Sequence, residues 1–144
     1  MTQSQLVLAQ QWHTHQRARN EEWRWQVGDW ACFDREQPEE GDIRLVTRVW
    51  EGLLEVQPME APAADVAPWE HADRFFPLPS WERGRVWLRS HGWGFPYCTT
   101  DGMTITWFCE PFQTDLDELL SAQGLTDLEC LYALMLQASE REKG

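Results

Sequence analysis

The chain has 144 residues, of which 24 are acidic and 12 basic, for a net charge of -12 at pH 7, and ten are tryptophan. So many large aromatics can bury a core, which excludes a disordered chain. The overall field repels phosphate, which argues against direct nucleic-acid binding.

In chain order, residues 3–19 read as a helix. Thr2 and Gln5 form a capping box, and Leu8 and Trp12 lie one turn apart with Leu6 and Ala9 beside them. The polar end around His13 and His15 suits a helix C-terminus, with both histidines facing solvent. Trp23, Trp25 and Val27 alternate with Arg24 and Gln26 as in a strand. Gly28-Asp29 marks a turn or bulge, and Trp30 to Phe33 continues as strand. Residues 34–42 are a polar loop.

Ile43–Trp50 and Leu53–Gln57 form a hairpin around Glu51-Gly52. The expected register sets Trp50 against Leu53, Val49 against Leu54, Arg48 against Glu55 and Thr47 against Val56. Leu45, Val49, Leu54 and Val56 then share the buried face. Residues 58–79 are Pro-rich and acidic and read as a long surface loop with a helical turn from Pro68.

Ser80 opens a helix to about Ser90, closed by His91-Gly92. A second hairpin joins Phe95–Thr99 to Met103–Cys109. With Asp101-Gly102 as its turn, Cys98 faces Ile105. Thr114 caps a helix from Asp115 to Ala122, ended by Gly124. Thr126 and Glu129 open a last helix whose stripe is Leu128, Leu131, Tyr132, Met135 and Ala138. The expectation is one α+β domain over 1–144. It has an antiparallel sheet of about five strands, helices packed on one face and C-terminal helices over 114–142.

The N-terminus lacks a basic n-region and a long apolar run, and no stretch is long enough to span a bilayer. The expected location is the cytoplasm, away from membranes. Cys32, Cys98, Cys109 and Cys130 lack CxxC spacing, so free, mostly buried thiols are expected. His13 and His15 are spaced two apart and do not share a metal on a helix. No metalloprotease, phosphate-loop, serine-hydrolase or deaminase motif appears. Hence no catalytic residue, metal ligand or cofactor is assigned.

Two stretches, GDWACFDREQPEEGDIRLVTRVWEGLLEVQP (28–58) and LPSWERGRVWL (78–88) followed by a hairpin and LDELL…LYALML (116–136), resemble small α+β proteins of phages and prophages. That group carries no assigned activity. The resemblance implies a strand-rich first half and a helix–hairpin–helix close.

Without catalytic motifs, the surplus of Trp points to an accessory protein that binds a protein partner or self-associates. Trp50 and Trp93 lie by turns and Trp69 in the Pro-rich segment, where burial is hard. Trp81, Arg85 and Arg89 sit on the one basic helix, and Arg and Trp are typical interface anchors. Trp30 and Trp107 are expected in the core. Two alternatives stand beside this reading. One is an acidic inhibitor that mimics nucleic acid, of anti-restriction or anti-CRISPR type. The other is a small enzyme or ligand-binding domain whose site no motif encodes.

Overall fold

Thr2 and Gln5 cap each other: the Gln5 N–H donates to Thr2 Oγ1 at 3.2 Å and the Thr2 N–H to Gln5 Oε1 at 3.1 Å. From this box runs helix α1 (Gln3–Ala18), which buries Leu6, Ala9, Trp12, His13 and Gln16 along one side. The computed structural model describes residues 1–58, 69–111, 119–124 and 126–141. The fold is α+β. Two compact units, Met1–Pro79 and Ser80–Gly144, each hold their own antiparallel sheet.

The first unit contains β1 (Trp30–Phe33), β2 (Ile43–Trp50), β3 (Leu53–Pro58), β4 (Trp69–His71) and β5 (Phe75–Leu78), in the spatial order β4-β3-β2-β1-β5. Short 3₁₀ turns at Glu40–Asp42 and Ala72–Arg74 precede β2 and β5. Ala31, Val46, Leu54, Val56 and Phe75 form one cluster of the core, with Trp25, Phe33 and Ala72 packed against it.

The β2–β3 turn needs positive φ at both central residues, and Glu51 and Gly52 adopt 34° and 83°. Trp50–Leu53, Val49–Leu54 and Arg48–Glu55 pair as expected. A bulge at Thr47 then shifts the register, so that Val46, not Thr47, opposes Val56. Val46, Leu54 and Val56 are therefore buried on one face, whereas Val49 on the same face is 40% exposed, contrary to expectation. Leu45 pairs with Gln57 and falls on the outer face.

Two expectations for this unit are corrected. Residues 23–27 are not a strand: the Asp29 carboxylate accepts the Gln26 N–H at 2.9 Å and Trp23 Nε1–H at 3.2 Å, closing a local turn into Gly28 at φ 94°. The segment 58–79 is not all surface loop, because it supplies β4 and β5. β5 is an edge strand, yet all four of its residues are buried, and α1 packs against it. Pro77 fits there because an edge strand can do without one N–H. The helical turn placed at Pro68 lies outside the described residues.

The second unit contains α2 (Trp81–Ser90), β6 (Tyr97–Thr100), β7 (Ile105–Cys109), β8 (Leu120–Gln123) and α3 (Asp127–Arg141), with sheet order β6-β7-β8. Ser80 caps α2 by accepting the Arg83 N–H at 3.2 Å, and Thr126 caps α3 by accepting the Glu129 N–H at 3.1 Å. Leu131, Tyr132, Met135 and Ala138 of the expected stripe are buried, together with Cys130 and Leu134. α3 packs against α2, β7 and β8.

The β6–β7 loop is longer than a two-residue turn. Asp101 Oδ1 accepts the Met103 and Thr104 N–H groups, both at 2.9 Å, so Thr100 pairs with Ile105 and Cys98 with Trp107. The helix expected over 115–122 is corrected at its end. Leu120 and Ala122 are buried and Ser121 and Gln123 exposed, a period of two that pairs with β7 as strand β8. Its proposed cap, Thr114, lies outside the described residues.

Candidate functional site

Hairpin register decides what Trp50 and Trp69 can do. The rows Trp50–Leu53–His71 and Arg48–Glu55–Trp69 run across β2, β3 and β4 on the face opposite Val46, Leu54 and Val56. Trp50 is 65% exposed and Trp69 44%. Two strand spacings and two residues of rise separate their Cα atoms by roughly 12 Å. Between them Arg48 Nε lies 3.8 Å from Glu55 Oε1, and Leu53 is half-buried. Trp30 lies on the same face of β1, exposed rather than in the core as expected.

The other four candidate residues belong to the second unit and divide. Arg85 and Arg89, one turn apart on α2, both lay their guanidinium groups over the Phe95 ring, at 4.7 and 5.0 Å. Phe95 is half-exposed, and the sequence reading gave it no role. Trp81 stacks edge-on against Trp107 at 4.7 Å, and Trp107 Nε1–H donates to Asp127 Oδ1 at 2.9 Å. Both indoles are half-buried, so Trp107 is only partly in the core. Trp93 is corrected: it is 5% exposed, its N–H donates to Leu88 O at 2.9 Å, and it bridges to Pro111.

Sequence reasoning missed a cleft of about 670 Å³ in the first unit. Its walls are the C-terminal half of α1 (His13, Arg17), the segment 20–25 with Trp23 and Trp25, and the turn around Ala72 and Asp73. Val49 and Phe75 of the sheet also line it. Trp23 meets Trp12 edge-to-face at 5.7 Å, while Trp25 leans on the core; both remain half-exposed. His13, expected in solvent, is 8% exposed, and its Nδ1 has no hydrogen-bond partner among the described residues. Burial first, and then the Arg17 charge, lower its pKa to about 4 against the opposing pull of Asp34. His13 is therefore neutral at pH 7. The available signal was the spacing of Ala9, Trp12, His13 and Gln16, one continuous helix face.

All four cysteines are free, and three are buried. Burial first, with nearby acids, pushes the Cys32 and Cys109 thiols up to about 12, and Cys130 is raised as well. Among the described residues, no three His, Cys, Asp or Glu side chains gather so as to hold a metal ion, and no helix is long and apolar enough to cross a membrane. Compared with protein-family models, curated proteins and solved structures, the chain matches none.

Proposed function

We propose that this is a non-enzymatic accessory protein of the cytoplasm that binds a protein partner through the outer face of β2–β3–β4. Trp50 and Trp69 are its anchors. The observation that supports this reading is the exposure of both indoles on one face of a paired sheet, at 65% and 44%. A rigid sheet presents such anchors at little cost in conformational entropy, and Trp is among the residues that dominate interface energetics.

The charge of the surroundings narrows the partner. Residues 1–79 hold seven Arg against fourteen Asp and Glu. Two copies of this unit repel each other, whereas a basic protein is attracted. The partner is therefore a basic protein with an apolar pocket or groove that receives an indole.

Affinity capture with wild type and with Trp50→Ser/Trp69→Ser, at low and high salt, tests the reading. One basic protein retained by wild type, lost with the double variant and weakened by salt, supports it. Identical capture by both proteins, or a wild type that associates only with itself, overturns it.

A further inference from the structure

We propose that the cleft of the first unit binds a small organic cation, a protonated or quaternary amine carrying a compact apolar group. Neither Trp50 nor Trp69 lines this cleft, although it reaches His71 of the Trp50 row and Gly52 of the β2–β3 turn; its sheet wall is Val49 and Phe75.

Size and lining come first. A half-open cleft of about 670 Å³ has room for a small molecule. The indoles of Trp23 and Trp25 line it and remain half-exposed, leaving aromatic surface for a ligand. Such surface attracts an ammonium group through the negative charge of the ring face, most strongly for Trp.

Charge then selects the sign. Glu21, Glu22 and Asp73 line the cleft against Arg17 and Arg24, and Arg17 Nη1 is 3.4 Å from Asp34 Oδ2. Arg17 and Asn20 bring the C-terminal end of α1 to the same wall, and its partial negative charge also favours a cation. His13 adds no positive charge near neutral pH, because burial keeps its imidazole unprotonated. An anionic ligand would meet the carboxylates without a surplus of guanidinium groups to balance them.

Three probes of one shape and different charge test this by calorimetry on the full chain: benzyltrimethylammonium, benzyl alcohol and benzoate. Saturable binding of the ammonium is expected, at least about 10-fold tighter than the alcohol, with no binding of benzoate and a loss of affinity in high salt. Asp73→Asn, at an exposed position that leaves the core intact, should weaken the ammonium about 3- to 10-fold. Trp25→Leu should weaken it further, with folding checked by circular dichroism because Trp25 also touches the core. In NMR spectra the Trp23, Trp25 and His13 resonances should shift on binding. Benzoate binding as well as the ammonium, no saturable binding of the ammonium at millimolar concentration, or binding unchanged by Asp73→Asn would each overturn the assignment.

Discussion

Thr47 Oγ1 donates to Glu55 across the β2–β3 hairpin, to Oε1 at 2.9 Å and to the backbone carbonyl at 3.1 Å. This bond sits at the bulge that sends Val46 to the core and leaves Arg48 and Trp50 on the other face. Thr47→Val keeps the β-branched shape and removes the donor. It should cost about 1 kcal/mol, read from urea unfolding, with the native fold retained.

Gly84 of α2 lies against α3. A methyl group there would come within 2.6 Å of Leu131 Cδ2 and 3.1 Å of Met135 Sδ, both in side chains buried in the core. Gly84→Ala gains about 1 kcal/mol of helix propensity but meets an overpacking cost of about 1–3 kcal/mol. The net expectation is a loss of about 1 kcal/mol, with a lower unfolding midpoint. A more stable variant would show that α2 and α3 are not in close contact at Gly84.

His13 makes stability depend on pH in one defined window. The unfolded chain takes up this proton near 6.5, and the folded protein only near 4. Between those values the unfolded state binds more protons, so stability falls as pH drops, by up to about 1.4 kcal/mol per pH unit. Above 6.5 the effect disappears, and below 4 it stops growing. Between pH 7 and pH 5 the wild type should lose about 1–2 kcal/mol more than His13→Gln, a difference in which the shared carboxylates cancel. Equal losses would place His13 in solvent.

Thiol accessibility separates the cysteines. Cys98 is exposed on β6, whereas Cys32, Cys109 and Cys130 are buried with raised proton affinity. Native protein should react with one equivalent of a disulfide reagent within minutes and with four after denaturation. Cys98→Ser should abolish the fast phase. Two or more fast equivalents would contradict the described burial.

Legibility in the sequence follows the range of the interactions. Caps and turns act over three or four residues, so Thr2–Gln5, Ser80, Thr126–Glu129 and Glu51-Gly52 appear in the structure where the sequence places them. Longer-range pairing was not legible. β5 looked like loop because Pro77 and Pro79 outweighed Phe75 and Phe76, and its burial depends on β1 and α1, far away in sequence. β8 looked helical until β7 supplied its partner. The bulge at Thr47 moved Leu45 outward through a hydroxyl bond that hydrophobic pattern does not encode. For the candidate surfaces, the sequence indicated Trp50, Trp69, Arg85 and Arg89, but not the shared stack on Phe95 or the burial of Trp93. The cleft was hidden because it assembles from four separate segments.

Site-directed photo-crosslinking measures the central claim most directly. A benzophenone amino acid replaces Trp50 in one version of the protein and Met103, a fully exposed residue of the other unit, in a second. The account predicts that position 50 forms a covalent adduct with one basic protein in living cells and that position 103 does not. The adduct should weaken when Trp69 is also replaced by Ser. Adducts of equal yield from both positions, or none from position 50, would contradict the assignment of the β2–β3–β4 face as the docking surface.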